Sequence, residues 1–236
     1  MYFVLYTLYL LPAALKRYAL KRQSLIYRIL ISLTIYFGLL YYGGDIGRTI
    51  LYPIRLLVTF LHELGHAIAA ILTGGNVDKL QINPDGSGWT RSAGGIRSLV
   101  IMGGYIGSAV FGNMLFYMGA KWHKAVKPVL YVLAGSMLFT AVLWFNSLFT
   151  SLVLILFSIF LIWMTGKKNM ARELLMFLGL ICTIYIIQDF NIGPGSDLKA
   201  YAKEMIIFPV SVWKYIWLAI VLLLFIFNLK TLLKTS

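Results

Sequence analysis

The sequence predicts an all-α polytopic membrane protein of about 6–8 transmembrane helices, with a short polar insert of β-hairpin character after one of them. Three observations predict it. The 236 residues are 60% hydrophobic, and the mean hydropathy of +0.83 exceeds what a soluble domain of this length carries. Apolar runs of about 18–22 residues recur along the chain, long enough to cross a bilayer. Basic clusters at Lys16–Arg28, Lys121–Lys127, Lys167–Arg172 and Lys230–Lys234 flank those runs. The formal charge of +13 is therefore juxtamembrane, which fits a lipid bilayer partner and argues against nucleic acid.

Tyr2–Leu15 is apolar but lacks a basic start and a small-residue cleavage site, so it reads as a short membrane or interfacial segment rather than a removable leader. Leu25–Tyr42 is the first long span, and Gly43-Gly44-Asp45 breaks it. Ile50–Leu72 follows. The polar stretch Thr73–Ser98 carries Gly74-Gly75, Asn83-Pro84-Asp85-Gly86 and Gly94-Gly95; weak alternation in Val77–Ile82 and the Pro-Asp-Gly turn signal predict a β-hairpin there. Leu99–Ala120 is rich in small residues. Pro128–Phe145 and Leu148–Met164 are divided only by Asn146-Ser147. Leu174–Gln188, the polar loop Asp189–Lys203, and Val210–Asn228 complete the chain. No long hydrophilic region divides it, so residues 1–236 read as one integral membrane domain. The lone Cys182 excludes an internal disulfide and sits mid-run as a small apolar residue.

Charge placement poses a parity problem. The clusters at 121–127, 167–172 and 230–234 agree as facing one side, but 16–28 is three segments away from 121–127. All three segments cannot cross completely if both clusters share a face.

His62-Glu63-Leu64-Gly65-His66 lies inside the apolar Ile50–Leu72 run. It uses two of the three histidines and one of the eight carboxylates, where polar groups are expensive and therefore functional by default. On a helix the two histidines stand about 40° apart, one turn along the axis, and can converge on one ion. Glu63 is turned about 100° from His62, so it stands beside the ion as general base. Gly65 and Ala67 leave room, and the small-residue stretch Gly103–Asn113 permits a cavity. Two imidazoles and a carboxylate suit catalytic Zn²⁺.

A third ligand is required. His123 is surrounded by Lys121, Lys124 and Lys127 and reads as a loop residue. Asp45 is close upstream, Asp78 and Asp85 read as turn residues, and Glu173 and Glu204 as surface charges beside basic residues. Asp197, after Gly195-Ser196, and Asp189, at the end of an apolar run, remain, with Asp197 favoured. The competing role is helix capping, in which Ser196 or Asp197 starts a helix through Leu198–Met205. Three functional classes follow: a hydrolase with Glu63 as base, a non-proteolytic membrane protein with a regulatory or vestigial zinc site, and a metal transporter. The last requires ionisable residues in several spans, and this chain has few.

These residues carry a resemblance. Thr59-Phe60-Leu61-His62-Glu63-Leu64-Gly65-His66-Ala67 continuing to Thr73-Gly74-Gly75, then Pro84-Asp85-Gly86-Ser87-Gly88, Gly103-Gly104-Tyr105-Ile106-Gly107-Ser108-Ala109, Gly195-Ser196-Asp197, Pro209 and Trp213–Trp217 occur in order. Over roughly residues 50–217 the chain resembles the site-2 protease family of intramembrane zinc metallopeptidases, in its compact branch without a PDZ domain. The resemblance implies His62 and His66 as metal ligands, Glu63 as the catalytic base, a distal aspartate carried to Asp197 as third ligand, and Asn113 near substrate. The family sets that aspartate in Leu-Asp-Gly, a context neither Asp197 nor Asp189 has, so both stay open. It further implies a Zn²⁺ cofactor, transmembrane protein substrates made locally extended, a place in the cell membrane, and a division into N-terminal membrane segments (1–49), catalytic core (50–217) and C-terminal end (218–236). Val77–Ile82 is the strand expected to pair with substrate.

Overall fold

A computed structural model of the chain describes residues 13–188, 190 and 196–235. The Tyr2–Leu15 segment up to Pro12, and Asp189, lie outside the described residues. The elements in order are α1 (Ala13–Tyr42), α2 (Gly44–Leu72), β1 (Asn76–Ile82), β2 (Gly88–Ala93), α3 (Arg97–Ala120), α4 (Val126–Leu143), α5 (Leu148–Met164), α6 (Lys168–Gln188), α7 (Asp197–Met205) and α8 (Val210–Thr235). Six of the helices are long and apolar enough to cross a membrane, and α5 is a shorter apolar helix. The chain is an all-α polytopic membrane protein with one small sheet. Several helices outrun the apolar stretches that predict them. α6 begins six residues before Leu174, and α8 continues past Asn228 to Thr235. Apolar composition marks membrane depth, whereas backbone hydrogen bonding sets helix length.

Glycines bring the helices together. A Cβ on Gly65 would strike the carbonyl of Gly103, and one on Gly107 would lie 3.1 Å from the Cα of Gly65, so α2 and α3 cross with their backbones in contact. α3 and α6 approach in the same way: a Cβ on Gly119 would lie 2.9 Å from the Cα of Met176, and one on Gly112 would lie 2.7 Å from the Thr183 hydroxyl. In lipid, helix association rests on such close packing because burying apolar surface adds nothing. Gly43 and Gly44 form the corner between α1 and α2, and Gly44 holds φ +56°.

Among the described residues, members of the basic clusters gather at one end of the bundle. Arg28 of α1 pairs with Glu173 of α6 at 3.1 Å. Arg172 donates to the carbonyls of Gly119 and Ala120 at the end of α3. Leu25, Phe116, Met176, Leu180 and Leu232 form a cluster just inside that end. α1 leads away from it, with the Tyr36 hydroxyl reaching Gln188, and α3 leads back. The start of α2 packs on the end of α1, and the end of α2 meets the start of α3 through Thr73 and Gly95. α2 thus begins beside the end of α1 and ends beside the start of α3, both away from Arg28 and Arg172.

The opposite end holds the hairpin, α7 and the motif. β1 and β2 pair antiparallel in the register Leu80↔Thr90 and Ile82↔Gly88. The hairpin expected at Val77–Ile82 is present. The outer edge of β1 is occupied: Leu80 donates its amide to the Trp144 carbonyl, and Ile82 donates its own to the Thr150 hydroxyl. Replacing Gly179 with Val, whose Cβ would meet the Leu115 carbonyl carbon at 2.8 Å, is expected to cost about 1–3 kcal/mol of stability. A lower thermal midpoint of the purified protein in detergent checks it.

Candidate metal centre

The i, i+4 spacing on α2 sets the His62 and His66 rings edge to face, with their Nε2 atoms 3.2 Å apart. The Asp197 Oδ2 lies 2.8 Å from Nε2 of His62 and 3.2 Å from Nε2 of His66. Among the described residues these three form a group able to hold a metal ion. Ser196 takes the capping role on α7, its hydroxyl accepting from the Lys199 amide. Asp197, one residue on, is thereby left with its carboxylate turned to the histidines. α7 is held there by the buried Leu198, by Tyr201 edge-on to Trp213 and Trp217, and by an Arg97–Glu204 pair at 3.1 Å.

These residues fit a tetrahedral ion. Ligands at about 2.0–2.1 Å from a common zinc stand about 3.3–3.4 Å from one another, close to the 2.8–3.2 Å separations found. A side chain on Gly104 would occupy the same space, because its Cβ would lie 2.5 Å from Nε2 of both histidines. The His66 Nδ1 lies 2.7 Å from the Val100 carbonyl. A carbonyl only accepts, so Nδ1 carries the proton, and the Nε2 lone pair of the neutral ring is directed at the site. Tyr105 packs edge-on against His62 and stacks on Phe190. Burial by itself would raise the Asp197 carboxyl, but its close contacts with His62 and His66 outweigh it. The net effect holds Asp197 well below the usual carboxylate range, as an anion suited to a cation.

Glu63 is 5% exposed and lies beneath the hairpin. The Thr90 hydroxyl is 2.8 Å from its Oε2 and 3.0 Å from its backbone carbonyl. Two further side chains of α2 pin the turn: Tyr52 donates to the Pro84 carbonyl and Thr59 to the Gly86 carbonyl, each at 2.7 Å. Spacings of seven and four residues put Tyr52, Thr59 and Glu63 on one face. Within the turn, Asp85 accepts from the Ser87 hydroxyl and amide, which lower its carboxyl below the ordinary value. Between hairpin, α2 and α7 opens a cavity of about 520 Å³ lined by Arg55, His62, Glu63, Thr90, Tyr105 and Asp197 among others.

The remaining candidates lie elsewhere. Asn113 is buried in α3, donating to the Ala109 carbonyl and accepting from Asn228 of α8; it does not line the cavity. Asp45 pairs with Arg48, Asp78 with Arg91, and Glu173 with Arg28. His123 is exposed in the turn after α3. Asp189 is outside the described residues. The sequence reading held Gly104 and Tyr105 only as members of the Gly103–Asn113 stretch that permits a cavity, and it missed Val100 and Thr90 as parts of the site. Val100 acts through its carbonyl, which no residue type announces. Thr90 had a faint signal, since it shares the period of Leu80 and Ile82 across the hairpin.

The family model described as Peptidase M50B-like matches residues 27–228. No curated protein and no solved structure matches the chain. Gly104→Ala, which fills the space between the two imidazoles, is expected to lower bound zinc at least about tenfold, and Asp197→Ala to do the same. Metal analysis of the purified variants against the unaltered chain checks both.

Proposed function

The chain belongs to the Peptidase M50B-like family, and we propose that it is an intramembrane zinc metalloprotease that hydrolyses peptide bonds of transmembrane substrates within or near the bilayer. The observation that carries this reading is the meeting of His62, His66 and Asp197 within 2.8–3.2 Å, with the buried Glu63 carboxyl on the same cavity. A distal carboxylate separated from the histidines by over a hundred residues completes the donor set of a catalytic zinc. In this reading residues 50–217 form the catalytic core of a single membrane domain.

His62, His66 and Asp197 would hold the zinc, which when bound supplies Lewis acidity to a carbonyl and lowers the pKa of water from about 15.7 to about 7. Glu63 takes the proton from the attacking water and returns it to the leaving amine. Val100 keeps the His66 ring in the tautomer that presents Nε2. Tyr105 and Phe190 wall the His62 side with stacked rings. Among the described residues, β2 lines this cavity and offers a strand edge to an extended substrate segment. β1 is occupied by Trp144 and Thr150, so β2 replaces the expected Val77–Ile82 strand as the pairing edge.

The test is Glu63→Gln in proteoliposomes, read on a quenched-fluorescence peptide that spans a transmembrane segment. Cleavage is expected to fall about 10²–10⁴-fold with zinc content unchanged. Retained hydrolysis removes Glu63 as the base. An unaltered chain that loads zinc but cuts no membrane peptide supports the non-proteolytic alternative.

A further inference from the structure

We propose that Thr90, on β2, is a positioning residue that holds the Glu63 carboxylate in its working orientation, so that the hairpin is a clamp on the base as well as a substrate edge. The proposal rests on the reading of Glu63 as general base. Glu63 carries two chemical demands: its helix fixes its Cα, yet a glutamate has three side-chain torsions and must be held in one arrangement to deliver a proton. α2 alone does not supply that restraint.

The hairpin supplies it from two directions. Thr90 approaches Oε2 to 2.8 Å. Gly88, two residues earlier and on the same face of the strand, brings its backbone against the other side. A Cβ there would lie 2.9 Å from both Cγ and Oε1 of Glu63, and 2.7 Å from the Thr59 methyl. Register keeps both in place: Gly88 faces Ile82 and Thr90 faces Leu80, whose side chains are fully buried. A one-residue slip would turn Trp89 and Arg91 onto the carboxylate instead. Hydroxyl chemistry suits both forms that the carboxyl passes through in turnover. Thr90 can donate to the carboxylate, or accept from the acid while donating to the Glu63 backbone carbonyl 3.0 Å away.

A purely structural role would make Thr90 one more peg between hairpin and α2. Tyr52 and Thr59 already hold the turn at 2.7 Å each, so removing one hydroxyl leaves the docking in place. The experiment compares Thr90→Val, isosteric without a hydroxyl, with Thr90→Ser, which keeps it, on the same quenched-fluorescence peptide in proteoliposomes. Thr90→Val is expected to lower kcat about 10- to 100-fold with KM, zinc content and thermal midpoint unchanged, and Thr90→Ser to restore most of the rate. In the Glu63→Gln background, Thr90→Val is expected to cause no further loss, because two residues acting as one unit are not additive.

Full kcat in Thr90→Val, beside an inactive Glu63→Gln, overturns the clamp while leaving the base intact. An additional loss in the double variant, or a fall in zinc content or thermal midpoint that Thr90→Ser does not repair, also overturns it. Retained hydrolysis in Glu63→Gln overturns instead the reading of the base.

Discussion

The crossing of α2 over α3 is the contact on which the rest of the site depends. Gly65 and Gly103 meet backbone to backbone, and this closeness fixes everything one turn away. It sets Gly104 under the two imidazoles, brings the Val100 carbonyl to His66, and lays Tyr105 against His62. In a bilayer such contact is also the main source of cohesion, since no hydrophobic gain accompanies helix association there. The same glycines therefore serve stability and chemistry, and any added side chain is felt in both.

Around that crossing the molecule is polarised. One end collects members of the basic clusters, Arg28 and Arg172 among them, and ties α1, α3, α6 and α8 together. The other end collects the hairpin, α7 and the cavity. The α4–α5 connection reaches across to cover β1 through Trp144 and Thr150, with Asn146 bonded to Gln81. Covering one strand edge and leaving the other on the cavity gives a two-stranded sheet a direction that it would not have alone. A hairpin of this size is marginal by itself, and here α2 supplies its support through Tyr52, Thr59 and Glu63.

Much of this was legible in the residues. Spans followed from apolar runs, the corner at Gly43-Gly44 from glycine, the hairpin from Asn83-Pro84-Asp85-Gly86, and the paired imidazoles from a four-residue spacing. Helix ends were less legible, because apolarity stops where lipid stops while backbone bonding continues, as α6 and α8 illustrate. The Asn113 amide is engaged by Asn228, a partner 115 residues away that no local pattern announces. The capping of α7 looked equally open to Ser196 and Asp197. The geometry gave it to Ser196, because a hydroxyl at the residue before the first turn reaches the Lys199 amide.

By itself, the sequence determined the class of molecule, the order of its segments and the local face on which His62, Glu63 and His66 stand. These are consequences of hydrophobicity and of helical period, both properties of neighbouring residues. Tertiary structure alone decided that Asp197 closes the group with the two histidines, that β2 rather than β1 faces the cavity, and that Thr90 meets Glu63. Each joins elements far apart in the chain. Their meeting is set by where glycines let helices approach, which sequence spacing does not encode.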